Sequence, residues 1–317
     1  MAVLSDLIHV GIGKETTPGT AVSVQNGHWA SWNAFSIDFE GDTKIANTGA
    51  LGTRYATKAI KNGIRNHKVT IEGALTWRLG AVLLYAYNTD LTTQNDTPET
   101  GIYTHTLNNS NVTNTYSIVV LDDIVGNRVY PYGVLDSLKI SGSANELVTF
   151  SADFFARKYE SASNSVAYDS ADNVFASPEV CIQINGQDYT ITNFTLELNE
   201  NAIITNGVCS DTFVAGAKGK REEKLSLTIV AENNILETLF NNNTDVTASL
   251  TLTDNAKTIG ASTHPQIKFD WNKAKITSIK EGINMGELVT YEIELTPIVD
   301  PATITIINDW DNTEMNK

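Results

Sequence analysis

The chain has 317 residues, enough for two domains of ordinary size or one large one, and 41 % of them are hydrophobic, including 5 Trp, 11 Tyr and 10 Phe; wholesale disorder is excluded. An excess of 37 acidic over 22 basic residues leaves a formal charge of -15, a balance that disfavours nucleic-acid binding through clustered Lys and Arg. Two cysteines, Cys181 and Cys209, are too few for a disulfide scaffold and stand in no metal-ligand spacing.

The opening MAVLSDLIHVGIG lacks a basic stretch and carries Asp6 in its apolar run, so residues 1–32 read as an N-terminal arm rather than a signal peptide. Gly11-Ile-Gly13-Lys14 is not a phosphate loop, because Glu15 follows the lysine where Ser or Thr is needed. Phe35, Ile37 and Phe39 then alternate with Ser36, Asp38 and Glu40, the period of a half-buried strand. A long segment, Gly41–Arg65, precedes a second alternating run in which Val69 and Ile71 interleave with Thr70 and Glu72. Arg78–Tyr87, with Leu79, Val82 and Leu83 at i, i+3, i+4, predicts a helix. Its apolar run, Gly80–Tyr87, is under half the ~20 residues that span a bilayer, and no membrane partner is expected. After the Thr/Asn-rich Leu91–Asn114, Val148, Phe150, Ala152 and Phe154 alternate with Thr149, Ser151 and Asp153. Residues 159–178 read as a linker, Asn233–Phe240 as a second helix, and 298–317 as a polar C-terminal tail.

The same text is written twice. Asn33-Ala-Phe-Ser-Ile-Asp-Phe and Ile45-Ala-Asn47 match Thr192-Asn-Phe-Thr-Leu-Glu-Leu and Ile204-Thr-Asn206 at an offset of 159. Lys68-Val-Thr-Ile matches Lys224-Leu-Ser-Leu at 156, each leading into its helix. Leu135-Asp-Ser-Leu-Lys139 with Glu146-Leu-Val-Thr-Phe150 matches Ile276-Thr-Ser-Ile-Lys280 with Glu287-Leu-Val-Thr-Tyr291 at 141. The drop in offset places an insertion at Leu91–Asn114, where a loop absorbs it at little cost. Three pairs in one order predict two modules, 33–158 and 179–297, in a mainly β chain with one short helix per module.

Catalytic patterns are missing. Five scattered histidines form no i, i+4 pair, Asp122-Asp123 and Asp309/Asp311 lack the register of a calcium loop, and Cys181 has no histidine near it in sequence. No enzyme activity, metal or cofactor is expected. A two-module surface adhesin or pilus-like subunit competes as a structural reading, and a carbohydrate-active sandwich as an enzymatic one. The unexported start and the helix in each module count against the first; five widely spaced tryptophans and the absence of an evident carboxylate pair count against the second.

Val10-Gly-Ile-Gly-Lys-Glu-Thr-Thr-Pro-Gly-Thr-Ala-Val22, and Val134-Leu-Asp-Ser-Leu followed by Glu146-Leu-Val-Thr-Phe-Ser-Ala-Asp-Phe154, resemble the tail tube proteins of long, non-contractile-tailed bacteriophages over most of residues 8–158. The resemblance implies β-sandwich/barrel modules with one flanking helix, closing through neighbouring subunits into a β-barrel ring. Rings stack into a hollow tube in the virion tail, assembled in the host cytoplasm, through which double-stranded DNA passes without specific binding. Tape-measure and tail-end proteins are the implied partners besides the chain itself. Relatives with one module per chain form hexameric rings; two modules per chain imply a homotrimer with pseudo-sixfold symmetry.

Within that frame the charges acquire expected places. Of the 22 basic residues, Lys44, Arg54, Lys58, Lys61 and Arg65 lie in Gly41–Arg65, and Lys218, Lys220 and Arg221 in Asn201–Arg221, with only Asp42 and Asp211 as acids. They are either solvated loop charge or contacts to an adjacent ring's acidic face. The arm and tail are expected to add strands to a neighbour or wrap it. Asp38, Glu40, Glu72, Asp153, Glu197, Glu292 and Glu294 alternate with apolar residues. They face either outer solvent or a lumen, where a carboxylate wall with few Lys or Arg offers phosphates nothing to pair with.

Overall fold

The computed structural model describes residues 8–24, 28–30, 35–38, 41–46, 59–122, 126–163, 173–208, 210, 212–283 and 288–315, with backbone alone for those between 35 and 65. The first half runs β1 (Ile8–Lys14), β2 (Trp29–Ala30), β3 (Phe35–Asp38), β4 (Gly41–Ala46), β5 (Ala59–Arg65), β6 (His67–Ala74), α1 (Trp77–Tyr87), β7 (Asp90–Asn95), β8 (Tyr103–Asn108), β9 (Tyr116–Asp122), β10 (Arg128–Ser143), β11 (Thr149–Ala156) and β12 (Glu160–Ser161). The second runs β13 (Val180–Ile184), β14 (Gln187–Asp188), β15 (Ile191–Asn199), β16 (Ile203–Asn206), β17 (Phe213–Ala217), β18 (Glu222–Val230), α2 (Ile235–Asn241), β19 (Val246–Thr253), β20 (Gln266–Gly282), β21 (Thr290–Pro297), β22 (Thr303–Asn308) and α3 (Asn312–Met315). The chain is mainly β, as the alternation predicts.

Its largest feature is a continuous antiparallel sheet in the order β3-β6-β11-β10-β15-β18-β21-β20. The last four strands repeat the order of the first four, and their registers coincide under the offsets read from sequence. Phe35 faces Ile71 as Phe194 faces Leu227; Thr149 faces Ala74 as Thr290 faces Val230; Ser137 faces Asp153 as Ser278 faces Glu294. Even the irregularity between Leu135 and Ser137 recurs between Ile276 and Ser278. Among the described residues the pairings branch but never return on themselves, so the sheet is open there.

The 16-residue β10 and 17-residue β20 each serve two sheets. The C-terminal half of each lies in the long sheet, while the N-terminal half crosses to a second layer. Behind the first four strands that layer is β2-β1-β9-β10-β12; behind the last four it is β14-β13-β19-β20-β22-β8-β7. The apolar faces enclose one core that includes Val69, Ile140, Phe154, Leu196, Leu227 and Ile293, each contributing about 1.5–3 kcal/mol by burial.

Helix α1 is the predicted one, capped where the Thr76 hydroxyl accepts from the Leu79 N–H at 3.3 Å, and all its residues are buried. Only Leu236 of α2 is.

Three expectations change. The segments 41–65 and 201–221 contain β-hairpins, β4–β5 and β16–β17, of equivalent register: Ile45 faces Ile60 as Ile204 faces Gly216. The N-terminal arm is not spare chain, since β1 pairs with β9 along its whole length, as β13 pairs with β19. Nor is the C-terminal tail, where β22 inserts between β20 and β8 of its own chain. Both find their unpaired backbone groups partners within the chain, the requirement that a neighbour was expected to meet.

Candidate functional site

The outward face of the long sheet is mostly polar. Because side chains alternate across a strand, the same register that buries the apolar positions gathers Thr70, Glu72, Asp153, Ser151, Ser137, Lys139, Glu197, Lys224, Ser226, Glu292, Glu294, Ser278 and Lys280 on one surface. Five of the expected carboxylates, Glu72, Asp153, Glu197, Glu292 and Glu294, therefore share a face. Asp38 lies on β3 opposite Lys68; its side chain, like Glu40 as a whole, lies outside the described residues.

These carboxylates are not alone. Lys68 Nζ sits 3.0 Å from Asp153, Lys280 Nζ 3.0 Å from Glu292, and Lys224 Nζ 3.4 Å from Glu197 and 3.5 Å from Glu294. Hydroxyls fill the gaps: Thr70 donates to Asp153 at 2.6 Å, Ser137 to the same carboxylate at 3.1 Å, and Ser151 to Glu72 at 3.1 Å. Burial lowers the Lys224 ammonium's pKa, but Glu197 and Glu294 outweigh it and hold the group above its ordinary value. The face is thus a lattice of alternating charge rather than a bare acidic wall. Lys68, Lys139, Lys224 and Lys280 were legible by the same alternation that marked the acids.

The basic residues expected at ring contacts divide. Arg54 and Lys58 lie outside the described residues, as do the side chains of Lys44, Lys61 and Arg65; on the backbone, Lys44 faces Lys61 across the β4–β5 hairpin. Lys220 is exposed, its side chain 88 % accessible. Lys218 and Arg221 turn inward instead: both pair with buried Glu200, and Arg221 also donates to the Tyr87 carbonyl at 2.7 Å. Burial pulls the Lys218 amine down to about 8, against Glu200, which raises it. A buried carboxylate takes these two charges because leaving it alone would cost several kcal/mol.

The β16–β17 hairpin lies against the preceding strands of its own chain. Arg157 donates to the Phe213 and Val214 carbonyls at 2.9 and 2.7 Å and its guanidinium stacks 4.0 Å over the Tyr132 ring, while Asn66 accepts from the Phe213 N–H at 3.1 Å. At the joint between the halves, the Asp136 carboxylate accepts from the Ala202 N–H at 2.9 Å.

The N-terminal motif has a structural task. Gly11 passes beneath Trp29, where a Cβ would approach ring atoms to 2.8 Å. The buried Glu15 carboxylate accepts from the Gly19 N–H at 2.6 Å, the Tyr132 N–H at 2.8 Å and the Ser117 hydroxyl at 2.9 Å. Gly19, at φ +80°, makes the turn that brings its N–H there.

Among the described residues no three His, Cys, Asp or Glu side chains converge as metal ligands, and no helix is long and apolar enough to cross a membrane. No curated protein matches the chain. The family model for phage tail tube proteins matches residues 5–297, nearly the whole double-written sheet, and the chain belongs to that family of structural virion-tail proteins.

Proposed function

We propose that three copies of this chain close into a ring of six modules, and that rings stack into the tube of a long, non-contractile phage tail through which double-stranded DNA passes. The first module comprises 33–158, with β1 and β2 of the N-terminal arm joined to it, and the second 179–297. One observation carries the reading: the strand order 3-6-11-10 is followed without interruption by 15-18-21-20, leaving β3 at one end and the C-terminal half of β20 at the other, each with one long-sheet partner among the described residues. Inside the chain the end strand of the first module's run in the long sheet, β10, pairs with the end strand of the second module's run, β15. Repeating that joint between chains removes both edges and closes the sheet.

Closure turns the polar face into the lumen lining. Lys68, Lys224 and Lys280 are engaged there by carboxylates, so at those positions a passing phosphate backbone meets pairs rather than unneutralised cations, and surface pairs of this kind exchange partners at a cost of only about 1 kcal/mol or less. The β16–β17 hairpin lies sideways on its own first module, which suggests that β4–β5, with Lys44, Lys61 and Arg65, lies sideways on a neighbouring chain. Lys220, with Arg54 and Lys58, remains for contact between rings. Tape-measure and tail-end proteins would meet the tube in the virion, assembled in the host cytoplasm.

Negative-stain microscopy of the purified chain across a range of salt and concentration tests this. Rings or tubes with a central hole are expected; discrete monomers under every condition would overturn it.

A further inference from the structure

Resting on the ring reading, we propose the register of the seam between chains: β20 of one copy pairs antiparallel with β3 of the next so that Lys280 faces Asp38, Glu281 faces Ile37, Gly282 faces Ser36 and Ile283 faces Phe35.

Within the chain, β10 and β15 pair with Lys139 facing Glu197 and Ser141 facing Thr195. Every other pairing in the long sheet is reproduced between its halves once 141 is added to β10 and β11, 156 to β6, and 159 to β3. Applying those offsets to the joint carries β10 onto β20 and β15 back onto β3, and the four pairs above result. The offsets were fixed by pairings that do not include the joint, so the register has no adjustable shift. A slip of one residue is excluded independently, because it would turn the polar face of β3 toward the core.

The charges of the polar face agree with it, and on the other face one apolar pair does, although Glu281 there stands opposite Ile37. Across the internal joint, Lys139, Glu197 and Lys224 stand in successive strands as plus, minus, plus. Across the seam the row reads Glu292, Lys280, then Asp38 and Lys68 of the neighbour, again alternating. Slips of two residues set Lys280 against Ser36 or Gly282 against Asp38 and break the alternation. On the other face, Ile283 is 70 % exposed at the free edge and meets apolar Phe35 of the neighbour, as Gly142 meets Phe194 inside.

Directly opposed antiparallel residues lie about 4.5–5.5 Å apart at Cα, within disulfide reach, whereas residues displaced by two lie about 7–8 Å apart. In a background carrying Cys181→Ser and Cys209→Ser, two variants test the register, Ser36→Cys with Gly282→Cys and Asp38→Cys with Lys280→Cys. Two others test its slips, Ser36→Cys with Lys280→Cys and Asp38→Cys with Gly282→Cys. Each assembly is checked by microscopy, mildly oxidised and run on a denaturing gel. The first two should shift most of the chain from the 34.5 kDa monomer to covalent dimer and trimer; the slip pairs should remain mostly monomer. The Lys280 pair guards against strain at Gly282, where a Cβ meets the Thr290 hydroxyl at 2.9 Å. Rings or tubes in which a slip pair cross-links, or none does, overturn the register and leave the ring reading standing. Absence of rings and tubes even from the unsubstituted chain overturns both.

Discussion

Glu223 is a carboxylate at a core-facing position of β18, 7 % exposed, and it survives there because three donors converge on it. Tyr87 donates to it at 2.8 Å, the Trp271 indole at 2.9 Å and the Ala302 N–H at 2.9 Å. Replacing Glu223 with Ala strands three buried donors, each worth about 1–3 kcal/mol when unsatisfied, so a large fall in the urea midpoint is expected, several times that of exposed Glu222→Ala. Nearby Lys218 sets a pH dependence. Its amine is pulled down to about 8, against an ordinary 10.5, so between those values the unfolded chain binds the extra proton and stability rises with pH. Tyr87, pushed up chiefly by burial, reverses the trend above about 10, where an unfolded tyrosine ionises. Urea midpoints measured from pH 7.5 to 10 should climb in the unsubstituted chain and flatten in Lys218→Met.

Among the elements, the β7–β8 hairpin is the part of the first half with no counterpart in the second, and it holds the end of the chain. His105 on β8 donates through Nε2 toward the Asn308 side chain at 3.0 Å and the Trp310 carbonyl at 2.9 Å, with the Thr93 hydroxyl at Nδ1. Burial lowers the His105 pKa below its ordinary 6.5, outweighing those acceptors and Asp311. The unfolded chain therefore takes up the proton first, and this clamp loses strength as pH falls through about 6.5. His105→Ala should raise amide exchange across Thr303–Asn308 at pH 7.5, and the unsubstituted chain should show the same increase on acidification to pH 5. The sequence exposed the insertion through its changing offset but not its destination. Thr-rich alternation with a single large apolar residue, as in Leu91–Gln94, names no partner strand. The hairpins β4–β5 and β16–β17 were hidden for a related reason: Ala, Gly and Asn interrupt their alternation, and pairing supplies what composition does not. Lys218 and Arg221 read as loop charge because Glu200, their partner, meets them only through the fold.

At the scale of the whole molecule, much of the plan was legible because it is written twice. Offsets between short matching words relate the registers of three strand pairings to those of the other three, down to the irregularity beside Ser137 and Ser278. What the words could not show is that β10 and β20 each bend out of one layer into another, since a strand buried on successive faces keeps its alternation through the crossing. The joint between β10 and β15 has a kinetic meaning as well. In a six-module ring made of single-module chains every seam lies between separate chains, whereas in the proposed ring of three chains every second seam would be tethered by the backbone and present before any two chains meet. The loss of translational and rotational freedom, about 4–15 kcal/mol per association, would be incurred twice, in joining three chains, instead of five times, in joining six. Ring formation should accordingly depend on a lower power of chain concentration, and the two classes of seam are free to differ, one holding the chain together and the other setting when the ring closes.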